Sequence, residues 1–232
     1  MIPEGINWMH VKKDRIFVGD IREGFHVLKY RRNDNMLYVI ADESIPRWLT
    51  AGVTLDYHTM MGADKFDNVW VGRVPKGARN EEAGDVSGLR LKADTSYIQG
   101  TTPKMETLVN FHVGETITAL EKTALLPGNA EVVIGASLMG GINCFYPMPT
   151  AEDVDFFHHL EMFMRAELPA LAGNEHIAYR SYYHPVKCCV DGDLCEMFSQ
   201  LSSEKQKTIA GELDRTPAEI MKKLEDLRNR IL

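Results

Sequence analysis

A change of pattern close to residue 150 constrains this chain more than any motif does. Before it, the sequence runs in short β-branched or aromatic segments. RIFVGDI (15–21) and FHVLKYR (25–31) flank Glu23-Gly24, MLYVIAD (36–42) follows RNDN, and NVWVGRVP (68–75) follows ADKFDN. METLVNFHV (105–113) and TITALEKTALL (116–126) surround Gly114-Glu115, and AEVVIGASLM (130–139) and INCFYPM (142–148) surround Gly140-Gly141. Runs of this kind, bounded by Gly, Asn or Asp, predict strands joined by tight turns. LYVIA and EVVIGA carry no polar face, which predicts strands covered on both sides. A sandwich, a barrel or propeller blades packed face to face all meet that requirement, and spacing does not choose among them. Residues 76–104 hold few large apolar side chains and read as a surface insertion between strands.

After Pro149 the period becomes helical. Thr150 is placed to cap a helix, with Asp153 three residues on. Phe156, Phe157, Leu160, Phe163 and Met164 follow at helical spacing, and Pro169 ends the run. A second helix starts near Asp191 and carries Leu194, Met197, Phe198 and Leu201, and a third runs from Ser203 to about Leu213. The last has the clearest start: Thr216 as cap, Pro217 at the first helical position and Glu219 closing a capping box. Ile220, Leu224, Leu227 and Ile231 form its apolar stripe. The expected fold is therefore mainly β with an α-helical tail, divided into residues 1–149 and 150–232.

The chemistry-bearing residues do not assemble into a catalytic set. Three of the four cysteines sit in YYHPVKCCVDGDLCEMF (182–198), four residues after His184 at the nearest. Structural zinc sites need four ligands, commonly from Cys-x-x-Cys knuckles or Cys and His pairs, and no knuckle is present. Adjacent Cys188 and Cys189 on an extended segment would face opposite ways. They read as small buried hydrophobes, with a Cys–His nucleophile or metal enzyme as the sharper alternative. His158, His159 and Glu161 lack the His-Glu-x-x-His order and read as a helix surface. Asp20, Glu23, Asp42, Glu43, Asp64 and Asp67 flank predicted turns and read as turn chemistry, against paired carboxylates for sugar cleavage. Asp191 and Asp193 around Gly192 read as a turn and helix cap. No Gly-rich phosphate loop or Gly-x-Ser-x-Gly elbow occurs.

Charge narrows the partners. The net charge of −7 opposes generic nucleic-acid binding, which needs a basic surplus. No stretch has about 18 consecutive apolar residues, and the first fifteen residues carry no signal-peptide core. The expectation is a cytosolic or nuclear protein with reduced cysteines, no cofactor, no metal, no membrane and no small-molecule substrate.

Longer motifs add a resemblance. GADKFDNVWVGRVP (62–75), NFHVGETI (110–117), DFFHHLEMFMR (155–165), YRSYYHPVK (179–187), DGDLCEMF (191–198) and ELDRTPAEIMKKLEDLRNRI (212–231) stand in the order seen at the C-terminal end of the splicing factor 3b subunit 3 family. Residues 15–51 are similar to it as well. The broader group includes damaged-DNA-binding protein 1 and the large cleavage and polyadenylation specificity subunit. The resemblance implies the last blades of a WD40-like β-propeller over residues 1–149 and a small helical C-terminal domain over 150–232. It implies no enzymatic activity. The role is that of a scaffold in the SF3b complex of the U2 small nuclear ribonucleoprotein, supporting branch-site recognition in the nucleus. The partners it implies are the HEAT-repeat subunit 1, the small subunit 5 and other proteins of that particle, with U2 RNA reached indirectly. The alternative is a damaged-DNA-binding-like propeller adaptor of a cullin ubiquitin ligase. Cys195 matches the family pattern and the Cys188-Cys189 pair does not. Tyr182, Tyr183 and Leu194 are expected as packing anchors, with Asp191, Asp193 and Phe198 as further structural or interface residues. Family members are several times longer. The chain is thus expected to begin inside a propeller, exposing strand edges, either as a fragment or with its missing blades supplied by another chain.

Overall fold

Two four-stranded antiparallel meanders dominate the first part of the chain. The first has the order β1 (Ile6–Lys12), β2 (Arg15–Asp20), β3 (Gly24–Arg31), β4 (Met36–Asp42). The second has the order β5 (Leu49–Thr54), β6 (Thr59–Asp64), β7 (Asn68–Arg73), β8 (Glu106–His112). A three-stranded sheet of order β11-β10-β9 follows, from β9 (Ile117–Ala124), β10 (Glu131–Ser137) and β11 (Ile142–Phe145). The computed structural model describes residues 4–33, 35–79 and 104–231; the insertion read between strands lies outside them over 80–103. A single turn of helix, α1 (Lys76–Arg79), stands just before that gap.

The chain forms two compact units. One comprises residues 1–122, 135–143 and 180–187; the other comprises 123–134, 144–179 and 188–232. The core of the first unit holds Phe17, Phe25, Val27, Ala41, Leu49, Met60, Trp70, Val74 and Met105. β2 and β6 are covered on both sides, as their buried side chains show, whereas LYVIA of β4, expected to be so, leaves Leu37 54% exposed and Tyr38, Val39 and Ile40 half-buried. The apolar character of β2 and β6 on both faces follows from that position.

β1, β5 and β6 escape the sequence pattern. In β5 and β6 the reason is close packing of backbone against rings. Gly52 and Gly62 face each other across the β5–β6 ladder. A Cβ on Gly62 would lie 2.7 Å from the Trp70 ring and 2.8 Å from Phe25, and one on Gly52 would lie 2.9 Å from Trp8. The strands use glycine to admit the indole rings, and so look unlike strands by propensity.

Two aspartates shape the turns of the meanders. Asp20, wholly buried at the end of β2, accepts from the N–H groups of Glu4 and Gly5 (3.0 Å each), Arg22 (2.9 Å) and Glu23 (3.0 Å). Burial works to raise its pKa, but the four N–H donors outweigh it and hold the carboxyl below its ordinary value. Asp64, at the end of β6, accepts from the N–H groups of Phe66 (2.9 Å) and Asn68 (3.1 Å). Glu43 and Asp42 depart from the turn-chemistry reading. Asp42 pairs with Lys104 at 2.8 Å. Glu43 is buried and accepts from the Trp70 indole at 3.0 Å.

The second unit carries α2 (Ala151–Glu167), α3 (His176–Arg180) except its last residue, α4 (Gly192–Glu196), a 3-10 turn at Met197–Gln200, α5 (Ser203–Glu212) and α6 (Pro217–Ile231). Capping follows the local sequence. Thr150 accepts from Asp153 N–H at 3.1 Å. Thr216 and Glu219 exchange bonds, from Thr216 N–H at 2.7 Å and from Glu219 N–H at 3.3 Å. The helices close over Phe156, Phe157, Leu160, Met164, Cys195, Phe198, Ile209, Ala210, Ile220 and Leu224. Asp153 also joins two helices, meeting Lys223 at 3.1 Å and Arg230 at 3.0 Å.

Candidate functional site

The six residues singled out from sequence fall into two groups. Asp191, Asp193, Leu194 and Phe198 lie in the helical unit, and Tyr182 and Tyr183 lie in the β unit.

In the helical unit Asp191 is a node. Its side chain caps α4 by accepting from Leu194 N–H at 3.2 Å, and its other oxygen lies 2.7 Å from His176 Nε2 on α3. Its own N–H donates to Glu161 on α2 at 3.1 Å, and Glu161 meets Arg165 at 3.5 Å. Asp191, His176 and Glu161 are all buried. One residue therefore ties three helices, as a satisfied buried polar network does. Asp193 is exposed in the first turn of α4, where an acidic group suits the helix dipole. Leu194 packs against the helical core from a half-buried position, and Phe198 is wholly buried within it.

Cys195 lies beside this node, with its Sγ 3.8 Å from the Phe157 carbonyl. Burial, helped by the surrounding carboxylates, pushes its thiol well above the ordinary value, opposite to what a nucleophile needs. Cys188 is exposed and Cys189 half-buried. Among the described residues, no three His, Cys, Asp or Glu side chains are grouped to hold a metal ion.

The tyrosines stand on a strap, residues 180–187, laid along β8. Lys187 pairs with Asn110 in antiparallel fashion through both backbone bonds (3.0 and 3.2 Å). The Arg180 guanidinium donates to the carbonyls of His112 (3.0 Å) and Val113 (2.8 Å). Tyr182 and Tyr183 are 63% and 49% exposed, so the packing they make is at the surface. The backbone pairing turns them outward onto a run of other rings. Tyr183 meets Phe66 at 5.2 Å and Tyr182 at 5.0 Å, Tyr182 meets His112 at 5.7 Å, and Phe66 meets Trp48 at 6.3 Å. Trp48 and Phe66 are 38% and 37% exposed. Lys65 Nζ stands 3.3 Å over the Trp48 ring. Sequence reading missed Trp48, Lys65 and Phe66, because only the β5–β6–β7 turns and the strap bring them together.

Residues 4–200 match the family model described as the CPSF A subunit region. The chain belongs to that family. All six singled-out residues fall inside the matched span, while α6 lies beyond it. Among curated proteins, this family member is 48% identical over all its 232 residues to Spliceosome-associated protein 130 A of Arabidopsis thaliana. It is 44% identical over 229 residues to Splicing factor 3B subunit 3 of Danio rerio and 41% identical over 229 residues to Pre-mRNA-splicing factor prp12 of Schizosaccharomyces pombe, covering 99% of this chain in both. The chain spans 19% of the length of each of these relatives.

Proposed function

We propose that this chain is a non-catalytic scaffold segment of an SF3b-type complex in the U2 small nuclear ribonucleoprotein, serving pre-mRNA splicing in the nucleus. One observation carries the reading: proteins named as splicing factors match 99% to 100% of the chain at 41% to 48% identity. In this reading the four-stranded meanders are the last blades of a WD40-like β-propeller. Antiparallel four-stranded sheets packed through apolar faces suit that architecture. Residues 150–232 are a small helical C-terminal domain, held by the Asp191 node and the caps. The partners are the HEAT-repeat subunit 1, the small subunit 5 and other proteins of the particle, with U2 RNA reached through them. The Asp191 node and the protonated Cys195 serve packing, and the segment takes no cofactor or small-molecule substrate.

The test is a tagged pull-down from native nuclear extract, read by mass spectrometry and a U2 RNA probe. Recovery of the SF3b subunits with U2 RNA is the expected result. Recovery of a cullin in their place would overturn the assignment in favour of a ubiquitin-ligase adaptor.

A further inference from the structure

We infer that the exposed ring run Trp48–Phe66–Tyr183–Tyr182, with Lys65 set over it, is a docking surface for an extended acidic segment of a partner protein. The segment would place apolar side chains on the rings and an Asp or Glu carboxylate on Lys65. The inference deepens the scaffold reading and rests on it for its biological setting.

Contiguous exposed aromatics mark interaction surfaces, where Trp and Tyr supply large contact area at low entropic cost. Here four rings between 37% and 63% exposed touch in sequence. They are also held in place before any partner arrives. The strap is fixed to β8 by Arg180 and Lys187. The Phe66 N–H is held by Asp64, and the Lys65 N–H donates to the Trp48 carbonyl at 3.0 Å. Rings fixed in this way lose little freedom on binding.

Charge selects the occupant. Lys65 lies 3.3 Å from the Trp48 centroid and 5.1 Å from that of Phe66, and among the described residues no carboxylate is within ion-pair distance of it. The neighbouring Asp64 is buried and occupied by the Phe66 N–H, Asn68 and Arg47. The Arg22 guanidinium also stands 5.0 Å from the Trp48 centroid, but Glu4 pairs with it at 3.5 Å, so Lys65 is the ring-seated cation that complements an incoming carboxylate. Single-stranded RNA also stacks on aromatics, but its binding needs a row of cations along the backbone. This surface offers only Lys65 and the Glu4-paired Arg22, not a row of free cations, on a chain of net charge −7, which favours the peptide.

The experiment selects phage-displayed random dodecamers on the immobilised 232-residue chain, then measures the lead peptide by fluorescence anisotropy. The expected peptides are enriched in Asp or Glu beside a large apolar residue. Tyr183→Ala and Lys65→Glu should each weaken the lead peptide about tenfold or more, and Lys65→Arg should retain it. Lys65 is exposed, so its variants keep the fold, and circular dichroism checks Tyr183→Ala. Selection without acidic enrichment, or binding unmoved by Lys65→Glu, overturns the inference. So does an oligouridylate dodecamer that binds more tightly than the peptide and is lost in the same variants. Recovery of the SF3b subunits from extract alongside a failed selection sinks this inference alone. A successful selection with no splicing subunits recovered sinks the scaffold setting and leaves the surface.

Discussion

Glu43 offers a quantitative handle on the β unit. Its carboxylate is buried, with one oxygen bonded to the Trp70 indole and the other, Oε1, without a hydrogen bond. Burial pushes its pKa from 4.5 up to about 7, against the opposing pull of the Trp70 N–H and the Arg47 charge. A raised acid binds more protons folded than unfolded between those values, so stability falls as pH rises through that window and levels off above it. The gap of about 2.5 pKa units corresponds to about 3 kcal/mol. Burial also lowers the pKa of His26, His112 and His184, which makes acidification destabilising and partly masks the Glu43 trend in the wild type. The difference between Glu43→Gln and wild type removes that masking. Glutamine keeps an acceptor for Trp70 and never ionises. Its own fixed cost is independent of pH, so the slope carries the test. Urea unfolding followed by tryptophan fluorescence reports this unit, because Trp8, Trp48 and Trp70 all lie within it. From about pH 4.5 to about pH 8 the variant should gain about 3 kcal/mol relative to wild type. A difference constant to within about 0.5 kcal/mol across that range would refute the account of Glu43 as a buried, partly protonated acid.

Three further outcomes follow from the packing. Gly62→Ala drives a methyl into the Trp70 and Phe25 rings and should cost about 1–3 kcal/mol in the same fluorescence assay. Asp191→Ala removes the α4 cap and strips His176 of its carboxylate, and should cost about 2–4 kcal/mol of helical-unit stability by far-UV circular dichroism. The exposed control Asp193→Ala should cost less than about 1 kcal/mol. With a thiol reagent on native protein, exposed Cys188 should react promptly, whereas Cys195, buried and held protonated, should react only on unfolding.

Helices were legible where their signals are local. Thr150 with Asp153, Asp191 with Leu194, and Thr216 with Glu219 each act within three residues, and each cap is formed. The strands that escaped notice owe their conformation to distant rings. Nothing near Gly62 in sequence announces Phe25, and β1 is exposed along nearly all its length, so it shows no buried face to read. Glu43 stood beside Asp42 and looked like turn chemistry, but its partner Trp70 is 27 residues away. The surroundings of the tyrosine pair are set at long range as well. Nothing near YYHPVK in sequence shows that Lys187 reaches Thr107, 80 residues earlier, an anchoring that leaves both rings at the surface.

The two meanders share a short signal in the sequence. VGD at 18–20 and GAD at 62–64 end the second strand of each meander, and both aspartates collect the N–H groups of the turn that follows. The repeat is of role rather than of composition, because Gly24 turns at φ 87 in the first meander and Asp67 at φ 67 in the second. A positive φ strains any residue with a side chain, and aspartate bears it better than most. Two sheets with little sequence in common can thus share a turn, provided the preceding aspartate fixes the backbone. The second of these turns also carries Lys65 and Phe66 to the surface beside Tyr183. A device that looks purely structural in the first meander therefore builds, in the second, part of the surface inferred to meet a partner.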